Sequence, residues 1–366
     1  MRIAYPTVTD QGFGNNLIAV AKAYLIAQTC EMNYLQPIWP RNLVPPLHGY
    51  DYYFPATVPQ KIETGLFSYM IRAQRKLGLQ IGFPALYFDR HLYGRTGITD
   101  AGEACLAYLK TLGLDDRARS LVVTTSGMWG GYASIKRARA WLRDLVLSHS
   151  DTRRRFKEMS SPAQGRLKVA VDIKFGAYAT RTKNLEENER NIRLPLDWYT
   201  RICQKIREVS DCAFILSTDA KREELQPFLN EIEPINYLGQ TCTDLMGLMI
   251  MMHSDLVICS NSTYSRLGCF LNDKPYLWIA DTLVKDRSGP NGYLWPEGEG
   301  PMPAWFKPAV KSTNEREDLD AIRRCFAVSY DFPALPEGLK RYLASNATLP
   351  IEVDDDLLYG ESVYLT

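Results

Sequence analysis

From residue 167 to residue 279 the chain alternates short apolar runs with amphipathic or charged stretches, and this alternation limits the possible folds more than any other feature. Leu167, Val169, Val171 and Ile173 alternate with Lys168, Ala170, Asp172 and Lys174. That period of two predicts a strand and puts Asp172 and Lys174 on one face. Pro195 opens a run in which Leu196, Tyr199, Ile202 or Cys203, Ile206 and Val209 recur at helical spacing, with proline suited to a first helical turn. Cys212 to Leu216 is a second apolar run, ending at Ser217-Thr218-Asp219, and the charged segment from Lys221 to Leu229 predicts another helix. Beyond it the pattern predicts a buried helix from Asp244 to Met252, a buried strand from Leu256 to Cys259, a helix from Thr263 to Leu271 and a strand from Tyr276 to Ile279. Strands that alternate with helices imply a parallel, doubly wound sheet.

The N-terminal half opens in the same way, with Ile3-Ala4-Tyr5 as a short strand and a helix from about Asn15 to Thr29, joined by Gln11-Gly12-Phe13-Gly14-Asn15-Asn16. The 366 residues suit two domains, at roughly 150 residues each. A composition shift from His149 to Gly165, where three arginines lead into Ser160, Ser161, Pro162 and Gly165, predicts a helix end before a linker. The domains are therefore expected to span 1–160 and 161–366. Pro37 to Thr99 is rich in Pro, Tyr and Phe without sustained periodicity and is expected to be an irregular substrate-facing region. Asn314 to Arg324 has helical character, and a last helical segment is expected to pack back on the N-terminal domain.

Several function classes are disfavoured at this stage. Lys plus Arg is 43 and Asp plus Glu is 42, a net charge of +1, so no general field attracts nucleic acid. The first residues lack the apolar core and cleavage site of a signal peptide, which predicts a cytoplasmic protein. Leu245 to Met252 is too short to span a bilayer, leaving at most peripheral membrane contact. The eight cysteines are scattered, without C-x-x-C spacing or clustered histidines, and are expected to be reduced core thiols rather than zinc ligands. No D-x-D follows a predicted strand, so no metal-held diphosphate is expected. Asp318-Leu319-Asp320 and Asp354-Asp355-Asp356 both lie in charged stretches.

Parallel sheets bind ligands beyond the carboxyl ends of their strands, where helix N-termini offer free N–H groups. Three loops meet that description. Gly12-Phe13-Gly14-Asn15-Asn16 lets the backbone approach a ligand closely, or is a tight packing turn; it lacks the third glycine of a dinucleotide fingerprint, which argues against a dehydrogenase. Ser260-Asn261-Ser262-Thr263-Tyr264-Ser265, followed by Arg266, offers hydroxyls and an amide for a phosphate, although helix capping accounts for the same residues. Lys174, in the turn from Asp172 to Tyr178, can meet a diphosphate as a point charge.

Taken in order, these segments resemble the alpha-1,2-fucosyltransferase family and related GT-B fucosyltransferases. The family's G-G-L-G-N-Q turn corresponds to Gln11 through Asn16, and its H-V-R-R-G-D-Y to Asp172 through Tyr178. Its L-P-x-x-Y-Y is similar to Leu194 through Tyr199, and its F-x-x-F-S-D-D to Phe214 through Asp219. The later D-L-x-L-M segment with N-S-S-F-S-W-W is similar to Asp244 through Met249 and Asn261 through Ser265. The resemblance implies a GT-B fold, two Rossmann-like domains facing across a cleft, with a nucleotide sugar on the C-terminal domain and most of the acceptor site on the N-terminal one. It further implies an inverting, metal-independent glycosyltransferase of carbohydrate biosynthesis that moves fucose from GDP-fucose to a glycan or glycolipid.

By the same resemblance the donor-binding residues are Gly12, Phe13, Gly14, Asn15, Lys174, Arg181, Ser217, Asp219, Asn261, Ser262, Thr263, Ser265 and Arg266. Lys174 would neutralise the leaving diphosphate; Asp172 is the first candidate for the base that activates the acceptor, or forms a structural ion pair with Lys174, and Asp10 is the second candidate base. Two departures bear on the donor. The tandem arginines of the family are Lys174 and Phe175 here, and the preceding histidine is Asp172. Lysine keeps a charge but loses the bidentate fork, and phenylalanine removes a donor. A different nucleotide sugar, or a non-catalytic relative that binds nucleotide or glycan, are the alternatives.

Overall fold

A computed structural model describes residues 2–8, 13–37, 84–116, 120–127, 129–148, 150–175, 193–238, 243–260, 262–279, 322–323, 325–328 and 330–352. The chain divides into two compact units between residues 149 and 150. The helix Ser150–Ser160 therefore belongs to the second unit, whereas the composition shift placed the boundary at its far end.

The first unit carries four parallel strands in the order β2-β1-β4-β3, with β1 at Arg2–Pro6, β2 at Asn33–Tyr34, β3 at Ala85–Tyr87 and β4 at Leu121–Thr125. The helix α1, Phe13–Thr29, crosses from β1 to β2 and is apolar almost all round, the pattern of a helix buried on most sides. It begins at Phe13 rather than Asn15, so Phe13 and Gly14 form its first turn. Ile3, Tyr5, Leu35 and Val122 form a buried cluster within this unit. Residues 38–83 of the aromatic-rich segment lie outside the described residues. Residues 84–99 contain β3 and the short helix α2, Arg90–Gly94. The helix α3, Ala101–Thr111, is capped by Asp100, whose side chain accepts from the Gly102 and Glu103 N–H groups, and α4 spans Arg139–Leu147.

The second unit carries five parallel strands in the order β10-β8-β7-β5-β6. They are β5 at Leu167–Ile173, β6 at Cys212–Thr218, β7 at Leu256–Ile258, β8 at Tyr276–Ile279 and β10 at Cys325–Val328. A separate two-stranded pair joins β9, Ile322–Arg323, to β11, Ile351–Glu352. Ile322 and Arg323 are thus in a strand, not in the helix their charged surroundings suggested; residues 314–321 lie outside the described residues. The arginines expected at a helix end lie in the helix α5, Ser150–Ser160, which is followed by a 3₁₀ turn at Ser161–Ala163, with Arg154 and Glu158 paired one turn apart at 2.8 Å. The remaining helices are α6 at Leu196–Arg207, α7 at Arg222–Ile232, α8 at Thr243–Met252, α9 at Thr263–Leu271 and α10 at Glu337–Ala344. The last described helix, α10, stays with its own unit: Tyr342 Oη donates to the Asp255 carbonyl at 2.8 Å.

The strand order creates a switch point. From β5 the chain passes through α6 to β6 on one side of the sheet, and from β7 it passes through α9 to β8 on the other. Because β5 and β7 are neighbours, the loops leaving their carboxyl ends diverge and open a crevice between them.

Candidate functional site

At that switch point sits a buried carboxylate. Asp172 is the sixth residue of β5 and is fully buried. Its register partner on β6 is Ser217, which places the two side chains on one face of the sheet. Ser217 Oγ donates to Asp172 Oδ1 at 2.7 Å, while Ser260 Oγ and Ser265 Oγ donate to Oδ2 at 2.7 Å and 2.5 Å. Lys174, two residues on and on the same face, brings Nζ to 3.7 Å from Oδ1. A carboxylate offers about four lone-pair positions; the three serine hydroxyls meet three of them, and the Lys174 ammonium adds an ion pair at a distance too long for a hydrogen bond.

The same serines build the start of α9. Ser262 is its N-cap, extended in backbone, with Oγ accepting from the Ser265 N–H at 3.0 Å. The Ser260 N–H donates to Ser265 Oγ at 3.1 Å, and Ser262 Oγ lies 2.8 Å from Ser260 Oγ and 3.0 Å from Ser265 Oγ. All three serines are buried. The hydroxyls of Ser217, Ser260 and Ser265 thus point to Asp172. The first-turn amides ahead of Ser265 are of the kind a helix leaves without an intrahelical acceptor, at the positive end of its dipole. Asn272 closes the helix, its Nδ2 donating to the carbonyls of Met251 at 2.6 Å and Ser254 at 2.9 Å.

Lys174 is held from several sides. Its ammonium lies 4.2 Å from the ring centroid of Tyr264, in the first turn of α9. Tyr237 stands close by, its Oη taking a 3.4 Å hydrogen bond from the Thr218 N–H. Burial pushes the Tyr237 phenol up to about 12, with Lys174 drawing it partly back. The turn after β5 is tied to the end of β6, since the Phe175 N–H donates to Asp219 Oδ1 at 2.7 Å. The Arg193 guanidinium lies 4.9 Å from the Phe175 ring centroid and 3.2 Å from Glu224, which brings a cation beside the position where the family motif has its second arginine.

Arg266 is nearly buried on α9, its guanidinium 5.2 Å from the ring centroid of Trp278 on β8. On the first unit, Phe13, Gly14 and Asn15 open α1; Phe13 and Gly14 are buried and Asn15 is half-buried. Asp10, Gly12, Arg181 and Asn261 lie outside the described residues, as does the side chain of Thr263. Among the described residues, no group of three or more His, Cys, Asp or Glu is placed to hold a metal ion, and no helix is long and apolar enough to cross a membrane. The described cysteines, Cys30, Cys105, Cys203, Cys212, Cys259 and Cys269, are buried free thiols.

The structure adds residues that sequence reasoning passed over. Gly247 of α8 lies where a Cβ would stand 2.5 Å from Tyr264 Oη and 2.7 Å from Ser217 Oγ, so the absence of a side chain lets α8 approach the site. Its signal was one glycine in an otherwise apolar helix. In the first unit Lys22 is fully buried within α1, donating to the Gly127 carbonyl at 3.0 Å with Nζ 3.5 Å from the Trp129 ring centroid. A lone lysine in a run of Leu, Ile, Val and Ala was the corresponding signal.

No family model matches the chain, and no curated protein matches it in sequence. Solved structures to which it is similar include the fucosyltransferase NodZ from Bradyrhizobium, at 15% identity and a TM-score of 0.42 over 74% of this chain and 92% of that one. POFUT1 in complex with GDP-fucose is similar at 13% identity and a TM-score of 0.45, over 75% of this chain and 95% of that one. A point mutant of FUT1 of Arabidopsis thaliana, in complex with GDP, is similar at 12% identity and a TM-score of 0.37, over 75% of this chain and 69% of that one.

Proposed function

We propose that this chain is an inverting, metal-independent glycosyltransferase that transfers a sugar from a nucleoside diphosphate to a carbohydrate acceptor, with fucose from GDP-fucose as the first donor to test. One observation carries the reading: Lys174, the serine-lined start of α9 and the end of β6 meet at the switch point of the second sheet. A diphosphate in that crevice meets one ammonium and the N-terminus of a helix, the combination that stabilises a phosphate leaving group. The ordered sequence resemblance supplies the sugar and the nucleotide. In this scheme Lys174 neutralises the departing diphosphate, Arg266 and Arg181 add positive charge, and Asp219 contacts the nucleoside. Gly12, Phe13, Gly14 and Asn15 remain candidates for contact with the donor, and Asp10 for the base that activates the acceptor.

The test is thermal unfolding of the full chain with GDP, UDP, CDP, ADP and dTDP, each with magnesium or with EDTA. A ligand at one hundred times its dissociation constant adds about 2.7 kcal/mol to the native state. Stabilisation by GDP that EDTA leaves intact, reduced at least tenfold in affinity in Lys174→Ala, is the expected result. Release of GDP from GDP-fucose in the presence of a glycan acceptor then tests transfer. Stabilisation by a different nucleotide replaces the donor; no response to any of the five refutes the reading.

A further inference from the structure

We infer that Asp172 is a positioning residue of the diphosphate site, one that locks Lys174 and the serine loop before α9 into a single arrangement, and is not the base that activates the acceptor. The inference rests on the nucleoside diphosphate reading above and deepens it. Its ground is the inventory of protons around the carboxylate. Ser217 donates to Oδ1 and Ser260 and Ser265 donate to Oδ2, while the Lys174 ammonium stands at ion-pair distance from Oδ1, so protein groups already surround both oxygens. A general base needs an open lone pair within about 3 Å of the acceptor hydroxyl, and a path to it. Asp172 is fully buried behind the hydroxyls that occupy it.

The hydroxyls themselves are committed by the same count. Ser260 Oγ, Ser262 Oγ and Ser265 Oγ lie within 2.7–3.0 Å of one another, so their three hydrogens are shared among these contacts and Asp172 Oδ2. The phosphate-facing groups of the loop are then the backbone N–H groups at the start of α9, and the serine side chains fix where those amides point. Three segments converge on one anion: the end of β5 through Asp172 and Lys174, the end of β6 through Ser217, and the loop after β7 through Ser260 and Ser265. A buried anion so placed gives direction to a cation and to a helix start, which is a role of geometry and charge rather than of proton transfer.

The decisive variant is Asp172→Asn in the full chain. Its remaining carbonyl oxygen still accepts and the hydroxyls can turn to meet the amide, so the fold is retained while the charge is lost. Amide hydrogen exchange of the ligand-free protein should quicken at least tenfold at Ser260, whose N–H donates to the Ser265 Oγ that Asp172 anchors, and also at Ser265, whose N–H donates to Ser262 Oγ, itself held through Ser260 and Ser265. GDP affinity should fall tenfold or more. Combined with Lys174→Met, the second substitution should cost less than threefold further, since one variant already releases what the other holds. Ser217→Ala is the milder check, since it removes a donor from Oδ1 without touching the loop. It should weaken GDP binding about threefold and leave exchange at Ser260 unchanged.

Unchanged exchange at Ser260 and Ser265 in Asp172→Asn overturns the positioning role, and so does full additivity with Lys174→Met. Retained GDP affinity together with loss of turnover and of the acidic limb of its pH profile would make Asp172 the base instead. If the wild-type chain binds none of GDP, UDP, CDP, ADP and dTDP, the diphosphate reading fails. The exchange measurement on the ligand-free protein still decides whether Asp172 organises the loop.

Discussion

Replacing Gly247 by alanine tests how tightly α8 is pressed against the site. In an open helix the change would stabilise the protein by about 1 kcal/mol through backbone propensity. Here the new Cβ would stand 2.5 Å from Tyr264 Oη and 2.7 Å from Ser217 Oγ, about 1 Å inside ordinary contact. Overpacking of this kind costs about 1–3 kcal/mol. Ser217 cannot yield without straining its bond to Asp172, a hydrogen bond to a charged group worth about 1.5–3 kcal/mol. Tyr264 can yield only by lifting its ring from the Lys174 ammonium. The balance is a loss of about 2 kcal/mol, which lowers Tm by about 4–8 °C in a unit of this size. Calorimetry of the full chain reads it. Gly338→Ala is the matched control, because its Cβ meets Phe326 Cε1 at an ordinary 3.4 Å and should leave Tm unchanged or raise it slightly. A rise in Tm for Gly247→Ala would show that α8 does not bear on the site and would remove Gly247 from the argument.

Two further predictions concern buried ionisable groups. Tyr237, raised from 10.0 to about 12 by burial, keeps its proton in the folded state at pH values where the unfolded chain has lost it. The stability linked to that proton is complete below pH 10 and is lost between pH 10 and 12, by about 3 kcal/mol. The difference in urea midpoint between wild type and Tyr237→Phe should widen in the variant's favour across that interval, and parallel curves would contradict it. Lys22→Ala removes a charge-assisted bond to the Gly127 carbonyl, a cation over Trp129 and a fully buried stem. It should cost about 3 kcal/mol in urea unfolding, and a change below about 1 kcal/mol would count against it.

The second unit was legible because its strands are apolar runs closed by turn chemistry. Tyr276 to Ile279 and the helix from Thr263 to Leu271 fall where the pattern placed them, and Ser262 caps the helix as an N-cap residue should. The first unit was less legible. Leu121-Val122-Val123-Thr124-Thr125 received no assignment, yet it is β4 and pairs with β1 over five residues; five β-branched or apolar residues alone do not separate a strand from a stretch of helix. At the site, the period of two brought Asp172 and Lys174 together, and the structure pairs them at 3.7 Å. It could not reveal that Ser217 sits opposite Asp172, because register between strands is set by the whole sheet. Nor could it reveal that Gly247 and Tyr264 meet from two helices, which depends on how α8 and α9 pack.

The pairing of Asp172 with Lys174 also changes what the family resemblance means for charge. Where the motif has a histidine and two arginines, this chain has an aspartate, a lysine and a phenylalanine, and the formal charges of Asp172 and Lys174 cancel. In the proposed scheme, attraction for a diphosphate then comes from the start of α9, equivalent to about half an elementary charge, and from cations set further back. Among the described residues these are Arg266 against Trp278 and Arg193 over Phe175. Losing a bidentate fork removes directionality as well as charge, and only something else that is directional can restore it. In the proposed scheme the serine network would do so by holding backbone N–H groups in place, which costs little reorganisation when the leaving group departs. The substitutions at 172 and 174 then belong together: a second cation beside Lys174 without the carboxylate would restore charge but leave the start of α9 without the anchor to which Ser260 and Ser265 donate.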